Sequence, residues 1–153
     1  MIYKFAILAI CAVVSADNGD GPGSIPFVGF YVFLDNTVSL TPGNTVKFSE
    51  VITNSGNHYD RDTGVFTAPA HGLYLFHLHA TPSEGVWLEL MQNKILQGHV
   101  GSALQKEYSM GGISVLLRVE EGDSIYVRIS KKSHIVDNWR RLYVTFTGYL
   151  VGL

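Results

Sequence analysis

Short apolar runs with a period of two, separated by turn sequences, place the strongest constraint on how this chain can fold. No segment after residue 26 shows a convincing helical period. The predicted strands are residues 27–34, 46–51, 59–66 (with a turn at 60–64), 73–80, 86–92, 95–100, 113–119, 124–130 and 142–151. Eight to ten strands at this spacing, without intervening helices, predict an all-β antiparallel sandwich or barrel.

Two pairs of these strands are predicted to form hairpins, because short turn sequences separate them. The first turns at Asn93 and Lys94 after the strand at 86–92, and the second turns at 120–123 after the strand at 113–119. Each hairpin would place its two strands side by side in one sheet.

Two strands carry apolar residues on both of their faces. In the strand at 73–80, one face holds aromatic residues and the other holds Leu73 and Leu75. In the strand at 113–119, Leu116 adds an apolar side chain to the second face. A sandwich strand in a monomer normally shows one face to water. The second apolar face therefore predicts contact with another subunit, with cover by a loop of the same chain as the alternative.

Residues 1–16 have the pattern of a secretion signal, and the remainder is long enough for one domain. Lys4 precedes an apolar run at 5–14 that ends in small residues. This run is far shorter than the roughly 20 residues that span a bilayer, so no membrane span is predicted. Residues 17–26 are rich in Gly and Pro but lack the Gly-X-Y period of collagen. We expect them to form a flexible arm before a single domain at 27–153.

Cysteine content and charge exclude several classes of protein. The only cysteine, Cys11, lies within the predicted signal, so the mature chain would have none. This excludes a disulfide scaffold, a cysteine zinc site and a thiol nucleophile. The formal net charge is −2, which is unlike the basic balance of a nucleic-acid-binding protein.

Aromatic residues at fixed spacings resemble the signature of the complement C1q globular-head family. The matching residues, in order, are Phe48, Asn54, Tyr59, Phe66, Gly72, Tyr74 and Phe76. Leu78 stands where the family usually has Phe or Tyr. The stretch at 115–123 is similar to the family's penultimate hairpin, and the stretch with Phe146 and Gly148 to its closing strand. We expect these signature residues to maintain the fold rather than contact a ligand.

The resemblance implies a ten-stranded antiparallel jelly-roll sandwich of the C1q and tumour-necrosis-factor type, assembled as a homotrimer. Family members are secreted recognition modules, and many have a collagen stalk or a cysteine-bearing oligomerisation segment before the head. This chain resembles a head-only member without such a stalk. Its trimer is therefore expected to be held by noncovalent contacts alone.

The segment at 131–141 concentrates cations, an amide and an indole, and is the predicted ligand-binding loop. Its candidate residues are Lys131, Lys132, His134, Asn138, Trp139, Arg140 and Arg141. Guanidinium groups fork onto anions, and an indole face stacks on a sugar ring. The loop is therefore suited to anionic sugars or phosphates. The alternative is a solvated turn with Trp139 packed in the core.

His77 and His79 are the candidate metal ligands. Residues two apart in a strand project to the same side, so both imidazoles could reach one ion. With Glu84 they partly resemble the metal motif of the cupins, another jelly-roll family. The alternative is two outward imidazoles beside the trimer wall or solvent.

No cofactor is predicted to be required, and calcium is a doubtful candidate. Calcium-binding members of the resembled family place paired aspartates where this sequence has Gly101 and Ser109. The turn with Glu120, Glu121 and Asp123 is rich in carboxylates, but a solvated hairpin turn is the favoured interpretation. Asp60, Asp62 and backbone carbonyls are the other possible sources of calcium ligands.

These features together favour a secreted, non-enzymatic recognition protein. The sequence has no nucleophile elbow, phosphate-cradling loop or zinc-protease motif. The leading hypothesis is a C1q-like homotrimer that binds carbohydrate or microbial and anionic surfaces in innate defence. The alternatives are a ligand for a cell-surface receptor, a metal-binding protein of extracellular fluid or matrix, and, last, a cupin-like metalloenzyme.

Overall fold

The computed structural model describes residues 27–34, 38–80, 87–101, 111–130, 133–135 and 144–153, with the backbone alone at 38–40 and 133–135. Its strands are β1 Gly29–Phe33, β2 Val38–Leu40, β3 Glu50–Asn54, β4 Tyr59–Asp60, β5 Val65–Thr67, β6 Gly72–Ala80, β7 Trp87–Gln92, β8 Ile95–Gly101, β9 Gly111–Val119, β10 Ser124–Ile129, β11 Ser133–Ile135 and β12 Val144–Gly152. One 3-10 turn, Ser55–Asn57, follows β3. In this part of the chain there is no α-helix, and none that could cross a membrane.

Ten of the strands form two five-stranded antiparallel sheets. Sheet I has the order β3-β1-β12-β6-β9, and sheet II has the order β4-β5-β10-β7-β8. A separate ribbon pairs β2 with β11. The all-β, ten-stranded antiparallel sandwich predicted from the sequence is therefore confirmed.

The predicted hairpin between the strands at 113–119 and 124–130 is wrong. Strand β9 pairs with β6 in sheet I, whereas β10 pairs with β5 and β7 in sheet II. The turn at 120–123 therefore carries the chain from one sheet to the other. Local sequence specifies where the chain reverses but not which strand it pairs with next, so a short turn alone does not distinguish a hairpin from a link between two sheets. The other predicted hairpin, at Asn93 and Lys94, is present between β7 and β8.

The strand predicted at 46–51 is displaced towards the C-terminus. Val46 and Phe48 are fully buried but lie before β3, and Thr45 makes only an isolated bridge to Arg128 of sheet II. Phe48 instead uses its backbone: its N–H donates to the Tyr59 hydroxyl at 3.1 Å. Apolar periodicity therefore identified the buried residues correctly but not the bounds of the strand.

Aromatic rings occupy the space between the two sheets. The Phe30 ring centroid lies 4.9 Å from that of Phe66, 5.3 Å from that of Tyr59 and 4.9 Å from that of Phe146. All the aromatic residues of the sequence signature are at most 3% exposed: Phe48, Tyr59, Phe66, Tyr74, Phe76 and Phe146. Edge-to-face and offset ring pairs of this kind add to the stabilisation from burial.

Two of the remaining signature residues fit between these elements. The Asn54 side chain donates to the Tyr59 carbonyl at 2.8 Å and accepts from the Tyr59 N–H at 3.0 Å, so it fixes the start of β4. At Gly148, a Cβ atom would lie 2.5 Å from the Phe76 ring and 2.6 Å from the Phe30 ring. Only glycine leaves the space that these two rings occupy.

Gly72 and the Tyr59 hydroxyl reflect the same close packing. A Cβ at Gly72 would lie 2.6 Å from Leu150 and 2.7 Å from the Gly152 carbonyl oxygen, so glycine lets β6 begin against the end of β12. Burial raises the pKa of Tyr59 to about 12, and the hydrogen bond from the Phe48 N–H acts in the opposite direction. The hydroxyl is therefore a neutral structural group.

Asp123 connects the hairpin of sheet II to the turn between the sheets. Its carboxylate accepts hydrogen bonds from Gln92 at 2.8 Å, from Asn93 at 2.6 Å and from the Glu120 N–H at 3.0 Å. These bonds, the Glu120 N–H first, hold the pKa of Asp123 below its ordinary value. The charged form is therefore favoured in the folded protein.

The substitution Asp123→Asn is expected to lower the free energy of unfolding at neutral pH by about 1–2 kcal/mol, because hydrogen bonds to a partly exposed charge are lost. The contribution of Asp123 is present above the ordinary carboxyl pKa and is lost as pH falls through the lower folded pKa. Urea unfolding at pH 7 and pH 3 should therefore show a difference from wild type that shrinks in acid. The control Asp62→Asn changes a side chain that is 90% exposed. Equal stability of Asp123→Asn and wild type at pH 7 would contradict this account.

Candidate functional site

The outer face of sheet I carries an apolar row across three strands. Tyr149 of β12 lies opposite Leu75 of β6, which lies opposite Leu116 of β9. Leu116 is 54% exposed, and the other two are half-buried. We call these three residues the outer row. Nearby, Val151 is also 54% exposed. The strands at 73–80 and 113–119 therefore do carry apolar residues on both faces.

The two candidate metal ligands extend from the outer row along β6. His77 Nδ1 lies 2.8 Å from the Ser114 hydroxyl, and its ring stacks on Tyr149 with 6.0 Å between centroids. His79 lies over Gly112, where a Cβ would come within 2.5 Å of the imidazole. Both imidazoles thus have neighbours on the adjoining strands.

The described residues do not complete a metal site around these imidazoles. The two rings are parallel within 6°, and their centroids are 6.4 Å apart. Among the described residues no group of three His, Cys, Asp or Glu side chains could hold a metal. Metal binding by His77 and His79 stays a prediction that needs ligands from elsewhere.

Two of the carboxylates considered for calcium, Asp60 and Asp123, have structural partners. Asp60 Oδ1 accepts hydrogen bonds from the Asp62 N–H at 2.8 Å and from the Thr63 N–H at 3.4 Å, in the turn before β5. Hydrogen bonds from these two residues, the Asp62 N–H first, hold the pKa of Asp60 below its ordinary value. Asp123 binds Gln92 and Asn93, as described above. Calcium binding is not tested by these contacts and stays a prediction from the sequence.

The predicted ligand loop lies almost wholly outside the described residues. Of its seven candidates, only His134 falls within them, where its backbone pairs with Ser39 in the β2–β11 ribbon. The other six are Lys131, Lys132, Asn138, Trp139, Arg140 and Arg141. Their role as ligand contacts stays a prediction, as does the secretion signal at 1–16.

A groove on the outer face of sheet II was missed by the sequence analysis. It has a volume of about 430 Å³, within the range of small-molecule sites. Its lining residues are Thr45, Val65, Asn93, Lys94, Ser124 and Tyr126. They come from four separate segments, so no local motif could have brought them together. The only local signals were the turn at Asn93 and the outward position of Tyr126 in β10.

Beside this groove, Arg128 is neutralised by Glu89. Arg128 Nη2 and Nε both donate to Glu89 Oε2, at 2.6 and 2.9 Å. The hydrogen bonds from Arg128 hold the pKa of Glu89 below its ordinary value. The pair is charged at neutral pH, and Arg128 is therefore occupied by a carboxylate of its own sheet.

Two five-stranded antiparallel sheets with these strand orders form a sandwich of the jelly-roll type. The sequence profile of the C1q domain family matches residues 29–151. The chain therefore belongs to the C1q domain family, as the aromatic signature indicated. Domains of this family are recognition or ligand modules rather than enzymes, and are typically extracellular.

Solved structures with the same fold come from both branches of this architecture. The globular domain of zebrafish complement 1qA protein superposes with a TM-score of 0.69 at 20% identity, covering 81% of this chain and 97% of that chain. Eiger TNF from S. frugiperda gives 0.64 at 14% identity, covering 84% and 94%. Murine APRIL at pH 8.0 gives 0.60 at 10% identity, covering 82% and 100%. At these identities the similarity is one of fold.

Proposed function

We propose that this chain is a secreted, non-enzymatic C1q-domain recognition protein that acts as a homotrimer in innate defence. Its ligands are carbohydrates or the anionic surfaces of microbes. Three protomers associate through the outer face of sheet I. The loops and the outer face of sheet II remain free for ligands, and no cofactor takes part.

The outer row is the observation that carries this proposal. Leu75, Leu116 and Tyr149 form a continuous apolar strip on a sheet face that the protomer leaves at least partly exposed. Burying such a strip against copies of itself contributes roughly 25 cal/mol for each Å² of apolar surface removed from water. In a closed symmetric assembly, every protomer places the same strip at the interface.

Trimerisation would give weak single contacts a high total affinity. Each protomer presents the same loops, so a repetitive surface can engage several sites of one molecule at once. The later contacts form at the effective concentration set by the first. Binding to individual sugars or phosphates can therefore be weak while binding to a surface is strong.

The double substitution Arg140→Ala with Arg141→Ala is expected to weaken binding to acidic polysaccharide about tenfold or more, because two guanidinium contacts to anions are lost. The measurement is retention on immobilised acidic polysaccharide at low and physiological salt. The matched control is Arg61→Ala, an arginine with 70% side-chain exposure in the turn before β5. The trimer should persist in both variants. Unchanged retention of the double variant would remove this loop from the binding site.

Two other functions would give different results in the same experiments. A receptor ligand would show saturable binding to one membrane protein and no preference among glycans. A metal-binding extracellular protein would retain Zn²⁺ or Cu²⁺ stoichiometrically, and would lose it in His77→Ala. A screen of glycans and microbial surfaces, with and without calcium, therefore separates recognition from both alternatives.

A further inference from the structure

We propose that the groove on the outer face of sheet II binds a sugar acid, a pyranose ring that carries a carboxylate. This inference deepens the proposed recognition function and rests on it for its biological meaning. The site itself is contained within one protomer and does not include the loop at 131–141.

Among the described residues that line the groove, Lys94 is the one that carries a charge. Lys94 is exposed at its rim, and no ion pair joins it to any carboxylate within the described residues. The neighbouring Arg128 is held by Glu89 at 2.6 Å. Asp123, next to the turn, keeps its negative charge, but its oxygens accept hydrogen bonds from Gln92, Asn93 and the Glu120 N–H rather than from Lys94. Lys94 therefore supplies a cation that a carboxylate ligand would satisfy.

The remaining polar groups suit a polyhydroxylated ring. Three of the residues that line the groove, Thr45, Ser124 and Tyr126, carry hydroxyl groups. Each hydroxyl both donates and accepts, which is what the hydroxyl groups of a sugar require. A simple anion such as phosphate would pair with the Lys94 ammonium group but would leave the three hydroxyl groups hydrogen-bonded to water.

Val65 and the Tyr126 ring give the groove an apolar surface for the C–H face of a sugar. In the sheet register, Tyr126 lies between Val65 of β5 and Met91 of β7. Met91 is 1% exposed although it is not part of the main core cluster between the sheets. The Tyr126 side chain therefore stands in a row of apolar neighbours, and its ring and hydroxyl offer an apolar body with a polar end.

The backbone holds Lys94 at the rim in a conformation that favours glycine. Asn93 and Lys94 both have positive φ, 49° and 72°, as in the two-residue turns of tight hairpins. Asn93 is fixed by hydrogen bonds to the Ser124 backbone in both directions, at 3.0 and 2.9 Å. A lysine at the second position costs backbone strain that glycine would avoid. The strain points to a use for the ammonium group.

The test compares Lys94→Gly with wild type for binding of glucuronic acid and of glucose, measured by chemical-shift titration. Glycine relieves the turn, so the variant should be at least as stable as wild type while lacking the cation. We expect one glucuronate per protomer, bound about tenfold more tightly than glucose, and about tenfold more weakly by Lys94→Gly. The control Lys47→Gly removes an exposed lysine outside the groove and should leave glucuronate binding unchanged.

Tyr126→Phe provides a second readout of the site, because it removes one hydroxyl and keeps the ring. It should weaken both sugars by the same factor, several-fold, since the carboxylate is not involved. No glucuronate binding at about 10 mM sugar, or equal binding by Lys94→Gly and wild type, would overturn the proposal. Such a result would leave the Arg140 and Arg141 experiment on polysaccharide unaffected, so failure of this site and failure of the recognition function are distinguishable.

Discussion

Phe146→Ala is expected to destabilise the protomer by about 3–5 kcal/mol, the range for removing a fully buried aromatic side chain. Phe146 is 0% exposed and is the third residue of β12. Its ring contacts Phe30, Phe48 and Phe76, with centroid separations of 4.9, 5.7 and 6.2 Å. No neighbouring ring can collapse into the vacated space without leaving its own contacts. This loss is comparable to the whole stability of a marginal domain.

The measurement is chemical unfolding at a fixed protein concentration, since self-association adds to the apparent stability. Phe146→Leu is the matched control, because it keeps most of the apolar volume and should cost much less than alanine. If Phe146→Ala lost less than about 1 kcal/mol, the aromatic cluster would not be the main support of the fold.

Leu116→Glu is expected to convert the assembly into folded monomers at micromolar concentration. Leu116 is 54% exposed in the protomer, so glutamate there is solvated when the chain is alone. In the proposed trimer, the same substitution would bury three carboxylates without partners, at a cost of several kcal/mol each. The substitution therefore acts on assembly and leaves the fold intact.

Leu96→Glu is the matched control for this effect. Leu96 lies on β8 of sheet II and is 50% exposed, so the chemical change and the exposure are nearly the same. Size-exclusion chromatography with light scattering should show monomer for Leu116→Glu and trimer for Leu96→Glu. Trimer in both variants would place the interface away from the outer row.

Most of the strands and their faces, with β2 and β11 as exceptions, were predictable from the sequence because burial has a period of two in a strand. The residues of β6 alternate as predicted, with Tyr74, Phe76 and Leu78 fully buried and Leu75 on the opposite face. The aromatic signature identified the family because ring packing demands those residue types at fixed separations. The hairpin at Asn93 and Lys94 was predictable because asparagine is favoured in two-residue turns that require positive φ. Both residues have positive φ in the structure.

Pairing between distant strands could not be predicted in the same way. The turn at 120–123 reads as a hairpin turn, and only the partners of β10, which are β5 and β7, show that it links two sheets. The groove was missed for a related reason. Thr45, Lys94 and Tyr126 are far apart in sequence, and only the fold brings them together.

Sedimentation equilibrium of the mature chain at micromolar concentration tests the central claim most directly, because the proposed function depends on association through the outer face of sheet I. We expect a single species with three times the protomer mass, which dissociates in Leu116→Glu. A well-folded wild-type protomer that stays monomeric at that concentration would contradict both the interface and the multivalent binding built on it.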